Sequence, residues 1–226
     1  MRAYFAGCIG LLFAAQACAL SLNELSQNQA GDGMKAMLEQ SARVAVQQLG
    51  QPGGFSNNPE VRIELPGNLG KAARAMKMLG KSKQVTALED SMNSAAEAAV
   101  PQAQELLLDA VKKMTINDAK GILNGPNNSA TAYLDRSSRE QLRSRFLPMI
   151  QQVTQSSGLA QQYNNFAGQA ASYGVIDTKD ASIENYVTEQ ALDGLFTIIA
   201  EQEASIRQNP AQAATDIAKK VFGVLR

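Results

Sequence analysis

The chain has no histidine and no tryptophan, and its two cysteines, Cys8 and Cys18, both lie close to the N-terminus. Histidine and cysteine are the usual nucleophiles, general bases and ligands of zinc, copper and haem. A mature domain that starts after Cys18 has neither histidine nor cysteine. It therefore cannot use Ser-His-Asp or Cys-His catalysis and has no disulfide, and no metal site or cofactor is predicted for it. A domain of about 200 residues buries enough apolar surface to fold without a disulfide.

The chain also lacks an excess of either charge, because Lys and Arg number 21, Asp and Glu number 21, and no long run has one sign. This balance predicts no nucleic-acid partner and no membrane-binding patch. Aromatic residues make up only 5% of the chain, and Ala and Leu supply much of the apolar surface. Such a composition favours helices packed on helices over a sheet sandwich.

The first 19 residues have the three parts of a secretory signal peptide. Arg2 supplies the charged start, residues 9–15 form the apolar middle, and Ala17-Cys18-Ala19 is a small-x-small cleavage site. The apolar run is too short to span a membrane, so no transmembrane segment is predicted.

This pattern predicts a cleaved leader, residues 1–19, and a single mature domain, residues 20–226, in the periplasm or outside the cell. Lipid attachment at Cys18 is the less favoured alternative. A lipid-attachment site usually has leucine three residues before its cysteine, and this chain has Ala15 there.

Apolar residues recur at spacings of three, four and seven along most of the mature chain, which predicts amphipathic helices. The strongest stripe covers roughly eight turns from Val85 to Met114, and Pro101 should kink or restart that helix. Other helices are predicted over residues 34–49, 68–79, 161–172, 182–207 and 211–225, the first of them only after a break at Gly31-Asp32-Gly33. The predicted fold class is all-α, a single-domain helical bundle of about seven to nine helices with at most a minor two-stranded ribbon.

One short segment alternates apolar and charged residues as a half-buried strand does. It is Val61-Arg62-Ile63-Glu64-Leu65, between Pro59 and Pro66. A strand needs a partner for its backbone groups, and residues 173–176 are the sole candidate. The segment therefore forms either a small ribbon or an extended strap over the helices.

Thr115 and Asp118 have the spacing of a capping box, in which each residue's side chain accepts a hydrogen bond from the other's backbone N–H. The box predicts the start of a short helix, which ends at Asn124-Gly125-Pro126. A structural role for Asp118 is therefore favoured over a catalytic one.

Further polar residues downstream predict two separate helices. Asn127 or Asn128 should cap a short helix over residues 130–134. A second capping box, from Ser137 to Glu140, should then begin a long helix.

Six polar residues are candidate binding residues because their positions beside apolar stripes or helix ends need explanation: Asn93, Glu97, Asp118, Tyr133, Glu203 and Arg207. Asn93 and Glu97 flank the long stripe near the carbonyl group that Pro101 leaves without a donor. They form either a solvated flank, which is the favoured interpretation, or a polar notch for a ligand. Glu203 and Arg207 have the favoured acid-then-base order of an i,i+4 pair, which is a structural link if Glu203 is buried. No catalytic residue is assigned.

The one local excess of positive charge consists of four arginines: Arg136, Arg139, Arg143 and Arg145. They are spread around a helix and partly offset by Asp135 and Glu140, so a solvated surface is the favoured interpretation. A phosphate or lipid-headgroup site is the alternative, but no Gly-rich turn adjoins the cluster to supply backbone N–H groups.

Motifs along the mature chain resemble a known family. They are Met92-Asn93-x-Ala95-Ala96-Glu97, Met114-Thr115-x-x-Asp118-Ala119-x-x-Ile122-Leu123-x-Gly125, Ala130-Thr131-x-Tyr133, Ala191-Leu192-Asp193-Gly194-Leu195-Phe196 and Ile206-Arg207-x-Asn209-Pro210, with Phe55 and Val61-Arg62-Ile63-x-Leu65-Pro66. In these motifs the chain resembles the bacterial family catalogued as domain of unknown function 4197. Glu64 stands where family members often have Pro. The resemblance implies an exported protein of Gram-negative bacteria with no assigned activity, and it implies no catalytic residues.

Two classes of function fit these observations. The favoured one is a non-enzymatic periplasmic module that binds an unknown protein or an apolar small molecule between its helices, because Ala and Met can line an adaptable cavity. The alternative is an acid/base hydrolase with Tyr133 as a helper and two carboxylates from a set of four: Glu97, Asp118, Asp193 and Glu203. The hydrolase needs two of these carboxylates within about 10 Å in an open cleft. A lipid carrier needs an apolar cavity of at least about 300 Å³.

Overall fold

The computed structural model describes residues 27–67, 82–156 and 182–224, together with residues 70, 78, 158, 161, 163 and 164. Every regular element in these residues is a helix, which confirms the all-α prediction. The helices are α1 (Gln27–Leu49), α2 (Ser82–Ala99), α3 (Ala103–Lys113), α4 (Ile116–Leu123), α5 (Ser129–Gln155), α6 (Ile183–Gln208) and α7 (Asp216–Val224). Because α2 continues through a 3₁₀ turn into α3, the described part of the chain holds six helices, slightly fewer than the seven to nine predicted.

Several sequence predictions fall on residues that lie outside the described part. They concern the leader 1–19, most of the helices over 68–79 and 161–172, and the strand partner 173–176. Within the described ranges, no helix has the length and apolarity that a membrane crossing requires.

The core lies around α6, which packs against α5, α1 and α2, while α1 also contacts α3, α4 and α7. The apolar stripe predicted from Val85 to Met114 faces this core. Its fully buried members include Met92, Ala95, Ala96, Ala99 and Leu107. Full burial of a side chain as large as Met92 or Leu107 contributes about 1.5–3 kcal/mol, so this stripe is a main source of stability.

At Pro101 the first helix of the long stripe ends and the next one begins. It lies in the first turn of a 3₁₀ helix, Val100–Gln102, which joins α2 to α3. A proline is tolerated there because a first-turn N–H has no partner within the helix. Of the two outcomes predicted for Pro101, the structure has the restart.

The predicted helix break at Gly31-Asp32-Gly33 is wrong, because α1 runs through these residues from Gln27. Gly31 and Gly33 are buried in the helix. A Cβ atom on Gly33 would lie 2.5 Å from Cγ2 of Val221 in α7, so glycine is needed for the close approach of these two helices. Gly33 therefore serves packing rather than a turn.

The prediction of two helices between residues 130 and 153 is also wrong, because α5 is continuous from Ser129 to Gln155 and includes Pro148. The hydroxyl groups of Ser137 and Ser138 donate to the carbonyl oxygen of Leu134, at 3.1 and 2.6 Å. These serines bond back into the preceding helical turn, so they do not cap a new helix.

Residues 55–66, called the strap below, lie against α2 and α6 without forming a helix or a strand. Phe55, Val61 and Ile63 are buried in the core. A Cβ atom on Gly194 of α6 would lie 2.7 Å from the ring of Phe55, so a glycine in α6 makes room for this ring. Of the two predicted forms of this segment, a small ribbon and an extended strap, the strap is therefore the correct one.

Candidate functional site

The Asn93 side chain makes the hydrogen bonds to the strap's backbone that a neighbouring strand would otherwise make. Its Oδ1 atom accepts from the Ile63 N–H at 2.9 Å, and its Nδ2 atom donates to the Ile63 carbonyl oxygen at 2.9 Å. Nδ2 also donates to the Glu89 carbonyl oxygen one turn earlier, at 2.7 Å. Asn93 is fully buried, and these bonds satisfy both ends of its amide. The side chain therefore holds the strap and is not available to a ligand.

Glu97 holds the start of the strap in the same way. Its Oε1 atom accepts from the backbone N–H groups of Phe55 and Ser56, each at 3.1 Å, and from the Ser56 hydroxyl at 3.2 Å. Only 9% of Glu97 is exposed. The favoured interpretation of Asn93 and Glu97 as a solvated flank is therefore wrong, because both are buried. They form the alternative, a polar notch, but the chain's own strap fills it.

Glu203 is fully buried and caps α5 from another helix. Its two carboxylate oxygens accept from the backbone N–H groups of Ala130 and Thr131, at 3.2 and 2.8 Å, and Oε2 also accepts from the Thr131 hydroxyl at 2.7 Å. Asn128 occupies the N-cap position but makes no capping bond with its side chain. The predicted cap by Asn127 or Asn128 is therefore wrong, because a carboxylate in α6 already satisfies the first N–H groups of α5.

Arg207 neutralises Glu203. Its Nε and Nη2 atoms donate to Oε1 of Glu203 at 3.0 and 2.8 Å, which confirms the predicted pair. The guanidinium also lies over the ring of Phe222, 5.5 Å from its centre. Because Phe222 belongs to α7, this one cluster joins α5, α6 and α7. It is the buried structural link that the sequence offered as one of two possibilities.

Arg139 and Arg143 fasten α5 to α6 rather than forming a free positive surface. Arg139 pairs with Asp135, Glu189 and Asp193, and Arg143 pairs with Glu140 and Glu189. The hydrogen bond from Arg143 lowers the pKa of Glu189 against the effect of burial. These two arginines therefore do not support the phosphate-site hypothesis, since carboxylates already pair with both guanidinium groups.

The sequence did not identify Glu189 as the partner of these arginines. It lies 46 and 50 residues away from them along the chain. The signal that could have found it is the reversal of charge between two long helices, with basic residues on α5 and acidic residues on α6.

Thr115 and Asp118 form the predicted capping box at the start of α4. The Asp118 N–H donates to the Thr115 hydroxyl oxygen at 3.2 Å, and Asp118 Oδ2 accepts from the Thr115 N–H at 2.8 Å and hydroxyl at 2.7 Å. The backbone bond from Thr115, followed by the hydroxyl bond, lowers the pKa of Asp118. Both bonds that the Asp118 carboxylate accepts reach Oδ2.

Tyr133 lies near Asp118 in a pocket of about 530 Å³ between α4 and α5, called the α4–α5 pocket below. Its other lining residues include Asn117, Gly121 and Arg136. Burial, followed by the negative charge of Asp118, raises the pKa of Tyr133, so the phenol stays protonated. Within the described part of the chain, the Tyr133 hydroxyl makes no hydrogen bond and Arg136 makes no ion pair.

Other open pockets lined by described residues include ones of about 780, 390 and 350 Å³. The first two share Arg139 and Asp193 and lie along the α5–α6 contact, where the ion pairs line them. The third lies between α1 and the start of α4, beside Lys35 and the half-exposed Ile116. Charged and amide side chains dominate the first, and the second is open to solvent with Asp135, Arg139 and Asp193 in its lining, so neither resembles the enclosed apolar cavity of a lipid carrier.

The four carboxylates named for a hydrolase have separate structural tasks. Glu97 and Glu203 are buried and hold the strap and the start of α5. Asp118 caps α4, and Asp193 pairs with Arg139 at 2.9 Å. Asp118 and Asp193 line different pockets. No observation on the described residues therefore favours the hydrolase.

Of the six candidate residues, the structure leaves Asp118 and Tyr133 together in an open pocket, while Asn93, Glu97, Glu203 and Arg207 are engaged inside the protein. No curated protein and no solved structure matches the chain. The model of one family, described as protein of unknown function (DUF4197), matches residues 24–223. The chain therefore belongs to the DUF4197 family, as its motifs indicated.

Proposed function

We propose that the protein is a non-enzymatic, exported module that binds a protein partner at the α4–α5 pocket. The observation that carries the proposal is the position of two polar side chains in this pocket. Tyr133 and Arg136 both line it, and among the described residues neither side chain makes a hydrogen bond or ion pair. A partner that enters the pocket can therefore bind both groups without breaking a bond inside the protein.

A protein partner is favoured over an apolar small molecule for two reasons. The pocket is open to solvent, and its lining includes the charged side chains of Asp118 and Arg136 and the amides of Asn117 and Asn128. Apolar ligands are bound in enclosed pockets with mostly hydrophobic walls. A surface segment of another protein can meet a polar pocket of this kind without entering the core.

Export is part of the proposal and rests on the charged start, apolar middle and small-x-small end of residues 1–19. Fractionation of the native host should recover a chain that begins near Leu20 in the periplasm or the medium. Recovery of the uncleaved chain in the cytoplasm would contradict this part of the proposal.

Native mass spectrometry of the protein purified from its own host tests the binding function. We expect the wild-type chain to carry a polypeptide partner, and the double variant Tyr133→Phe/Arg136→Gln to lose it. Arg145→Gln is the matched control, because Arg145 is an exposed arginine of the same helix that does not line the pocket. A partner that both variants retain equally would contradict binding at this pocket, and a wild-type chain that carries none would contradict the function.

A further inference from the structure

The α4–α5 pocket carries an inference about the chemistry of its ligand, and this inference rests on the proposed function. Two side chains in addition to Tyr133 and Arg136 offer hydrogen-bond donors there. These are the amides of Asn117 and Asn128, which line the pocket and make no side-chain hydrogen bond among the described residues. Arginine, tyrosine and asparagine side chains all supply N–H or O–H donors, and the guanidinium of Arg136 has five N–H groups and no acceptor.

We propose that the α4–α5 pocket binds a carboxylate carried by a peptide segment, with Arg136 as its charged partner and the Tyr133 hydroxyl as a second donor. A guanidinium binds a carboxylate through two parallel N–H···O bonds, and these charge-assisted bonds are stronger than neutral ones. Tyr133 and Arg136 are one helical turn apart, so their side chains leave α5 on the same side.

The charge of the pocket favours a carboxylate over a phosphate. Arg136 contributes one positive charge and Asp118 one negative charge, so the lining is neutral when both are ionised. A carboxylate brings the single negative charge that Arg136 can offset, whereas a phosphate group at pH 7 brings about 1.5 to 2 and leaves negative charge that Arg136 does not offset beside Asp118. Asp118 remains ionised at that pH because its bonds to Thr115 lower its pKa.

The pocket also has space for a segment of chain beside the carboxylate. Gly121 of α4 lies in its wall, and a Cβ atom on this residue would meet no other atom within 4 Å. The volume of about 530 Å³ is within the range of about 300–1,000 Å³ found for ligand pockets. A larger side chain at position 121 would therefore occupy the pocket without disturbing the core.

Titrations followed by amide NMR test this inference on the exported, processed chain, with the signals of Gly121 and Gly125 as reporters. The probes are N-acetyl-trialanine with a free carboxylate, its C-terminal amide, N-acetyl-Ala-Glu-Ala-amide, acetate and inorganic phosphate. We expect saturable shifts with a peptide carboxylate and about tenfold weaker binding of the uncharged amide. The two carboxylate peptides distinguish a chain terminus from an acidic side chain, and either result supports the inference.

Variants separate the pocket from the rest of the surface. Arg136→Gln should weaken the binding of the carboxylate peptide about tenfold or more, and Gly121→Leu should abolish it. Arg145→Gln should leave it unchanged. Equal binding of the carboxylate and the amide, tighter binding of phosphate, binding of acetate alone, or no saturable shift would each overturn the inference. The double variant could lose its partner in native mass spectrometry while the wild-type chain shows no response to the peptides. That combination would contradict the carboxylate chemistry but not the proposed function.

Discussion

At the scale of single residues, Glu203 combines a full negative charge with complete burial. A buried carboxylate is tolerable only when a positive charge and hydrogen-bond donors replace the water it loses. Arg207 supplies the charge, and the N–H groups of Ala130 and Thr131 supply donors at the positive end of the α5 dipole. Loss of the carboxylate would leave a guanidinium and a helix end without partners in the interior.

Glu203→Ala should therefore lower the free energy of unfolding by about 3–5 kcal/mol, the usual cost of removing one partner from a buried ion pair. Glu203→Gln should cost less, because the amide oxygen still accepts bonds from α5. The measurement is urea denaturation followed by far-UV circular dichroism. Glu201→Ala is the control, since Glu201 is exposed two residues earlier and its loss should change stability by less than about 0.5 kcal/mol. Similar losses for Glu201 and Glu203 would refute the structural role.

Glu189 gives a pH-dependent prediction, because its hydrogen bond from Arg143 lowers its pKa below the ordinary value of 4.5. A carboxyl group whose pKa is lower in the folded state stabilises the fold above its unfolded pKa, and this contribution disappears as the pH falls through its folded pKa. The difference in unfolding free energy between wild type and Glu189→Gln should therefore shrink from about pH 6 to about pH 3. Denaturation curves at several pH values measure it. A difference that is constant or grows on acidification would contradict the ion pair.

At the scale of helices and loops, local signals in the sequence located most of the elements correctly. The apolar spacing gave the α2–α3 stripe and a helix over residues 182–207, close to the observed Ile183–Gln208 of α6. These features depend on residues within a few positions of one another. The capping box of Thr115 and Asp118 belongs to the same class.

The errors arose where a distant residue overrides a local signal. Gly33 indicated a break, but the approach of Val221 in α7 requires a glycine inside the helix. Ser137 and Glu140 indicated a new helix start, but α5 already begins at Ser129, where Glu203 caps it across 73 residues of sequence. The roles of Asn93 and Glu97 could not be derived either, because their partner is the backbone of a loop 30 to 42 residues away.

The contact between the strap and α6 gives a prediction at this scale. Gly194→Ala would place a Cβ atom 2.7 Å from the Phe55 ring and 3.2 Å from Cβ of Val61, so the strap or the helix must shift. Overpacking of this kind usually costs about 1–3 kcal/mol of unfolding free energy. Thermal or urea denaturation measures the loss.

Gly121→Ala is the matched control for that substitution, since Gly121 also lies inside a helix but its added Cβ meets nothing within 4 Å. Alanine should stabilise α4 there by about 0.5–1 kcal/mol, because it restricts the unfolded chain more than glycine does. The two substitutions should thus have opposite signs. A neutral or stabilising Gly194→Ala would mean that the strap does not pack against α6 as described.

At the scale of the whole molecule, two groups of polar residues differ in their surroundings. Those in the interior join elements together: Asn93 and Glu97 hold the strap, and Glu203 with Arg207 joins three helices. Those in the α4–α5 pocket, Tyr133 and Arg136, have no such task within the described residues. Membership of the DUF4197 family assigns no activity, so the functional proposal depends on this second group.

Site-specific photo-crosslinking in the native host tests the central claim most directly. A photoreactive phenylalanine analogue at Tyr133 keeps an aromatic side chain in the α4–α5 pocket, and the same analogue at Arg145 places it on an exposed part of the same helix outside the pocket. The account predicts a discrete adduct with one protein partner from position 133 and none from position 145. No adduct from position 133, or the same adducts from both positions, would contradict binding at the pocket.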